Sequence, residues 1–182
     1  MAELRLQDQL QPALLDRLSD DEPEKHTESR EQRVISVAKL RKSVLRDLTW
    51  LLNSICLAAT EDLSEYPDAE RSVINYGLHG FAGSTIGQLG IVDTEKAIRE
   101  AIIRFEPRLI ANTVKVHLIE ESLREDSHNT IGLEIEADLW CQPLPSHMFL
   151  KTDFDLEIGA ARVTEQTEAE ATRSDRSRTR RR

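Results

Sequence analysis

Apolar residues in the first two thirds of the chain recur every three or four positions, as they do along one face of a helix. The longest such stretch covers about residues 34–60 and keeps its charged residues off the apolar stripe, which predicts a long N-terminal helix. A second stretch with this spacing ends at Phe105, and we expect Asp93 or Thr94 to cap its start. The two stripes contain Val37, Leu40, Val44, Leu48, Leu51, Leu52, Ile55, Ile98, Ala101 and Ile102.

After Pro107 the spacing changes to strict alternation of apolar and polar residues, which is typical of strands with one buried face. The alternating stretches cover about 113–118, 131–139 and 150–156 and are joined by short links. We therefore predict an α+β domain in which the long helix and the second helix pack on one face of a small antiparallel meander. Beyond Gly159 the sequence turns acidic, then arginine-rich, and shows no further periodicity.

This pattern divides the chain into three parts. Residues 1–33 hold a short amphipathic segment and a charged linker that we expect to be mobile. Residues 34–160 form the folded domain, and residues 161–182 form a disordered tail. The amphipathic segment is marginal as an isolated helix and needs a surface to dock on, either on this chain or on another.

Composition excludes several classes of protein. The 182 residues carry a net charge of −9, and an acidic surface repels phosphate, so we expect no nucleic-acid partner. The last ten residues hold six Arg and one Asp, which we interpret as a solvated tail. Near the N-terminus, Leu4, Leu6 and Leu10 are interleaved with polar residues, unlike a signal peptide. No apolar run approaches the ~20 residues of a membrane span, so we expect a cytoplasmic protein without direct membrane insertion.

Enzyme chemistry has little support in the sequence. The five histidines lack metal-ligand spacing, no Ser lies in a G-x-S-x-G turn, and the glycines between 79 and 90 form no phosphate-binding pattern, which favours a flexible loop. Glu134, Glu136 and Asp138 share one strand face, which we interpret as a solvated acidic face. We predict no catalytic residue, no cofactor and no metal site.

The segment Glu106-Pro107-Arg108 directly follows the second helix. Pro107 disfavours helical geometry at Glu106, so the helix should stop there. A carboxylate at a helix C-terminus faces the negative end of the helix dipole, which is unfavourable unless the carboxylate has a partner. Two interpretations stay open: the pair ties the helix end to the next strand, or it contacts another protein.

Four short segments occur together in a characteristic order: RDLTWLLNS at 46–54, YP at 66–67, SVINYG at 72–77 and FEPRL at 105–109. Together they resemble TssE, the small baseplate subunit of the bacterial type VI secretion system. The same family includes a wedge protein of contractile phage tails. The similarity covers about residues 10–160.

The resemblance implies a sheath-handshake-like α+β fold in a cytoplasmic baseplate wedge. It implies that Glu106, Pro107 and Arg108 contact the helical bundle of wedge subunits, and that the small sheet anchors or seeds polymerisation of the contractile sheath. The implied partners are the wedge subunits TssF, TssG and TssK and the sheath proteins TssB and TssC.

Two alternatives remain beside this structural role. The family carries an old lysozyme label, so a peptidoglycan-cleaving enzyme with Glu106 as general acid is one. That chemistry needs a second carboxylate in the same cleft, and a nearby Arg108 favours the ionised form of Glu106, which is the wrong form for an acid. The other is a regulatory anti-adaptor, which shares the fold and works by binding another protein.

Overall fold

The structure, a computed structural model, describes residues 13–18, 24, 36–80, 91–119, 130–141 and 144–166. Two 3-10 helices, Leu57–Ala59 and Val73–Asn75, lie before and after the short α-helix Pro67–Arg71. None of the helices described is both long enough and apolar enough to cross a lipid bilayer. The elements are α1 (Leu14–Leu18), α2 (Val37–Leu52), α3 (Pro67–Arg71), α4 (Ile91–Phe105), β1 (Lys115–Leu118), β2 (Thr130–Leu139), β3 (Ser146–Asp155) and β4 (Ala160–Gln166).

The four strands form one antiparallel sheet in the order β1-β2-β3-β4, which confirms the predicted α+β fold with a meander. Ile135 in the middle of β2 pairs with Val116 on β1 and with Leu150 on β3. All three are buried, because the period-two alternation turns the apolar residues of every strand to the same face. The opposite face carries the charged residues.

Helices α2 and α4 cover the apolar face of the sheet, with α2 against β4 and α4 against β1. Both apolar stripes predicted from the sequence point into this core, where Leu48 on α2 and Ile98 and Ile102 on α4 are fully buried. The largest fully buried side chains are Leu48, Leu51, Ile98, Ile102, Leu133, Ile135, Leu139, Met148, Leu150 and Leu156.

The helix α2 is shorter than the sequence predicts. Ser36 caps its start by accepting a hydrogen bond from the backbone N–H of Lys39 (3.2 Å). At its end, Asn53 binds β4: its amide donates to the carbonyl of Ala161 (2.8 Å) and its Oδ1 accepts from the Ala161 N–H (2.9 Å). Ile55 continues the apolar spacing but is 65% exposed, so it lies outside the stripe. Spacing alone does not reveal an end that is set by a distant strand.

The helix α4 begins at Ile91, so Asp93 and Thr94 lie inside it and neither caps its start. Asp93 instead lies in the first turn of the helix, where its negative charge is favourable beside the positive end of the helix dipole. Residues 81–90, which include most of the glycine-rich loop, lie outside the described residues.

Strand β4 corrects the expectation that periodicity ends at Gly159. Ala161 and Val163 are buried on the helix-covered face, whereas Arg162 and Thr164 are exposed. Only Ala161 and Val163 alternate with polar residues in this strand, and two such positions are too few to predict a strand from the sequence. The predicted boundary at 160 therefore falls inside the sheet, while residues 167–182 and nearly all of the predicted linker lie outside the described residues.

Candidate functional site

The Glu-Pro-Arg loop forms a tight turn between α4 and the sheet. The helix ends at Phe105, as Pro107 predicts, and the Leu109 N–H donates to the Glu106 carbonyl oxygen (3.2 Å). Leu109 then forms an isolated antiparallel bridge with Leu139 on β2. This geometry places Glu106 on the inside of the turn and leaves Pro107 exposed at its tip.

Glu106 is a buried carboxylate with only 3% of its surface exposed. Its Oε1 accepts hydrogen bonds from Nε (2.6 Å) and the backbone N–H (3.2 Å) of Arg108, and its Oε2 accepts from Nη2 of Arg108 (2.5 Å). Two parallel N–H···O bonds are the strong form of an arginine–carboxylate contact. Every partner that the structure describes for this carboxylate belongs to Arg108.

Arg108 connects this loop to α2. Its Nη1 donates to Oγ of Ser43 (2.9 Å), and its Nη2 also donates to Oδ2 of Asp47 (2.5 Å). Burial disfavours the charged guanidinium, but the hydrogen bonds and negative charges of Glu106 and Asp47 outweigh burial and hold the pKa of Arg108 above its ordinary value. The Arg108 side chain remains 23% exposed, so it reaches the surface while Glu106 does not.

Asp16 and Arg46 extend these contacts to α1. The guanidinium of Arg46 donates to Oδ1 of Asp16 (2.5 Å) and to Oδ1 of Asp47 (2.8 Å), and Ser43 Oγ donates to Oδ2 of Asp16 (2.7 Å). Burial acts to raise the pKa of Asp16, but the hydrogen bonds and charge of Arg46 and the Ser43 hydroxyl lower it below its ordinary value. The polar cluster, as we call this group, consists of Asp16, Ser43, Arg46, Asp47, Glu106 and Arg108.

Aromatic side chains border the polar cluster. Tyr76 donates from its hydroxyl to the Asp47 carbonyl oxygen (3.3 Å) and packs edge-on against Phe105, with ring centroids 5.2 Å apart. Burial, together with nearby negative charge, raises the pKa of the Tyr76 phenol. Trp50 is half exposed, and the Arg46 guanidinium lies 5.1 Å from its ring centroid. Three of the four segments that suggested the family therefore meet at one place.

The other predicted candidates lie elsewhere. Glu136 and Asp138 are on the outer face of the sheet, where Lys115 binds Glu136 (3.3 Å) and His147 binds Asp138. Tyr66 is exposed and takes no part in the polar cluster. Among the residues described, no group of three or more His, Cys, Asp or Glu side chains is arranged to hold a metal ion.

Sequence reasoning identified Glu106 and Arg108 but missed their partners. Ser43 offered a signal in the sequence, since it is a polar residue directly beside the apolar positions of α2. In the structure it is only 5% exposed. Asp47 lies on the charged side of the same helix and looked like a solvated residue. Asp16 gave no signal, because it is one of many charges in a polar stretch.

A family model described as baseplate wedge protein gp25 matches residues 38–144, which is more than half of the chain. The match covers every residue of the polar cluster except Asp16. Searches of curated proteins and of solved structures found no match. TssE is the type VI secretion homologue of phage gp25, so the resemblance noted in the sequence is confirmed at the level of the family. The chain belongs to the family of the baseplate wedge protein gp25.

Proposed function

We propose that this chain is a cytoplasmic, non-enzymatic subunit of a type VI secretion baseplate wedge. It binds the wedge subunits TssF, TssG and TssK, and it anchors or seeds the sheath proteins TssB and TssC. Membership of a structural baseplate family supports this role. The observation that carries it is the convergence of three family segments at the polar cluster, where a rigidly held arginine reaches the surface.

We assign the wedge contact to Pro107 and Arg108, with Glu106 as a positioning residue. Glu106 is too buried to touch another protein, but it holds the Arg108 guanidinium at two points. An arginine whose conformation is already fixed loses little side-chain entropy on binding. The exposed Pro107 stiffens the loop beside it. This division of roles fits a protein interface better than a solvent-exposed ion pair.

The two edges of the sheet differ in their capacity to accept a strand from a sheath protein. Edge β1 is covered by α4, because Glu95 accepts a hydrogen bond from the Leu118 N–H (2.8 Å). Arg99 donates to the Val114 carbonyl just before β1 (2.9 Å). A strand added there would have to displace both side chains of α4.

Edge β4 is held by α2 only at its start, because Asn53 occupies the outward backbone groups of Ala161, whereas no hydrogen bond that the structure describes ends on the outward backbone groups of Val163 or Glu165. Asn53 binds both backbone groups of Ala161, which shows that the backbone of this residue points away from β3. By the alternation of an antiparallel strand, Val163 and Glu165 direct their backbone groups to the same side. We assign the sheath contact to this edge, where an added strand would form main-chain hydrogen bonds.

The enzymatic alternative finds no support in the geometry of Glu106. A general acid must come within hydrogen-bonding distance of the bond it protonates. Both oxygens of Glu106 are bound by Arg108, and the carboxylate is 3% exposed. A glycosidic oxygen has no path to this group without disruption of the polar cluster.

The wedge contact is tested by affinity purification of full-length variants from cells, with mass spectrometry of the proteins that accompany them. We expect folded Arg108→Lys to lose TssF, TssG and TssK, because lysine lacks the planar two-point donor. Exposed Arg104→Lys is the matched control and should retain them. Undiminished wedge binding by Arg108→Lys and Pro107→Ala would overturn the assignment.

The sheath contact is tested separately by Glu165→Pro, which removes an outward N–H without removing a hydrogen bond to β3. We expect this variant to lose TssB and TssC. Glu165→Ala removes the ion pair with Arg41 but keeps the N–H, so it should retain both proteins. Equal recovery of sheath proteins with both variants would exclude the β4 edge.

A further inference from the structure

The polar cluster contains one carboxylate that comes from outside the folded domain. Asp16 lies on α1, and residues 19–35 separate this helix from α2 and its cap. Nevertheless its side chain is only 9% exposed, with Oδ1 bound by Arg46 (2.5 Å) and Oδ2 bound by Ser43 (2.7 Å). Asp16 therefore binds Ser43 and Arg46 of the folded domain as the carboxylate of a separate ligand would.

Little else in the described structure holds α1 in place. The helix has five residues, and an isolated helix of this length is unstable in water. Leu14 and Leu18 are 71% and 75% exposed and Leu15 is 43% exposed, so apolar burial holds this helix only in part. The hydrogen bonds that the structure describes between α1 and the rest of the chain all end on Asp16. The attachment that the structure describes is therefore mainly polar and centred on Asp16.

The site itself requires an acceptor at this position. The buried Ser43 hydroxyl accepts hydrogen bonds from Nη1 of Arg108 (2.9 Å) and Nη2 of Arg46 (3.4 Å). A hydroxyl has one proton to donate, and this proton goes to Asp16. Removal of Asp16 would leave a buried donor and one arm of Arg46 without their acceptor. A carboxylate matches both donors, because it offers two oxygens and a negative charge.

We propose that Asp16 is an internal substitute for a carboxylate of a partner protein. A partner segment bearing Asp or Glu displaces α1 and binds Ser43 and Arg46, while half-exposed Trp50 provides an aromatic surface beside them. Arginine and tryptophan are the residue types that contribute most to protein interfaces. Under the proposed function, on which the identity of this partner rests, the acidic segment belongs to a wedge subunit. The carboxylate site itself does not depend on that identity.

The test measures peptide binding to the full-length chain by fluorescence anisotropy. The probe is a labelled peptide with the sequence of residues 10–20 of this chain, and the control is the same peptide with Asp16→Asn. We expect the Asp16→Asn chain to bind the probe at least about tenfold more tightly than wild type, because its own α1 no longer competes. The control peptide should bind neither chain.

Further results make the test decisive. Arg46→Gln added to the Asp16→Asn chain should abolish binding of the probe, with folding verified by circular dichroism. Equal affinity of wild type and Asp16→Asn for the probe, or equal binding of probe and control peptide, would overturn the proposal. No baseplate protein enters this assay, so a positive result together with failed recovery of wedge subunits would reject the wedge partner but keep the carboxylate site.

Discussion

Replacement of Arg108 by alanine is the most informative test of the energetics of the polar cluster. The substitution removes every described side-chain partner of Glu106, whose carboxylate is 3% exposed. A buried charge that loses its partner costs about 3–5 kcal/mol. The contact with Asp47 adds little, because that side chain is 24% exposed and water replaces the lost donor, at less than about 1 kcal/mol. We therefore expect a destabilisation of about 3–5 kcal/mol.

The assay is urea denaturation of the full-length chain, followed by far-ultraviolet circular dichroism. An unchanged slope of unfolding free energy against urea shows that the midpoint shift reports stability alone. The same loss should lower the melting temperature by roughly 6–20 °C for a chain of this size. Arg104→Ala is the matched control: Arg104 is exposed and donates one hydrogen bond, to the Glu70 carbonyl (3.2 Å), so it should cost less than about 1 kcal/mol.

A double-mutant cycle separates the pair from its surroundings. Glu106→Ala leaves Arg108 with Asp47 and Ser43 and with access to water, so we expect it to cost less than Arg108→Ala. Removal of both partners leaves no orphaned carboxylate, so the double variant should cost clearly less than the sum of the single variants. A cost for Arg108→Ala as small as that for Arg104→Ala, or strict additivity in the cycle, would refute this reasoning.

Three further predictions concern other parts of the structure. The folded chain holds the pKa of Asp16 below its ordinary value of 3.8. The stability that ionised Asp16 contributes to the docking of α1 is therefore present above about pH 4 and is lost as the pH falls through the lower folded pKa. The protection factors of the α1 amides, which are exchange rates corrected for their intrinsic dependence on pH, should therefore decrease below pH 4 in wild type and stay independent of pH in Asp16→Asn. Gly77→Ala should destabilise by at least ~2 kcal/mol in thermal melts, since φ is +122° and a Cβ would lie 2.4 Å from a carbonyl oxygen, whereas Gly80→Ala, with 3.7 Å to the nearest atom, should be nearly neutral. Thr152→Val should stabilise by about 1 kcal/mol in urea denaturation, because the Thr152 hydroxyl is buried without a hydrogen-bond partner among the described residues; a loss of stability would contradict this.

The sequence predicted those parts of the fold that local chemistry determines. The end of α4 follows from Pro107, and the buried face of β2 and β3 follows from the alternation over 131–139 and 150–156. At the end of α2, by contrast, Asn53 hydrogen-bonds Ala161 of β4, a residue more than one hundred positions away. Such a contact between distant segments has no local signature.

The candidate site divides in the same way. The contact of Glu106 with Arg108 joins residues two positions apart across a proline, so it was accessible to sequence reasoning. The bonds of Arg108 to Ser43 and Asp47 join residues more than sixty positions apart and arise only when α4 packs beside α2. Asp16 reaches the cluster from beyond a charged segment, and its role became apparent only from the structure.

The central claim is that this chain is a structural part of a type VI secretion baseplate. The most direct test is affinity purification of the wild-type chain from cells, followed by mass spectrometry. We predict recovery of TssF, TssG and TssK together with TssB and TssC, and no release of sugar ends when the purified chain is incubated with peptidoglycan. Recovery of a single signalling protein in place of wedge and sheath proteins, or release of sugar ends, would contradict the account.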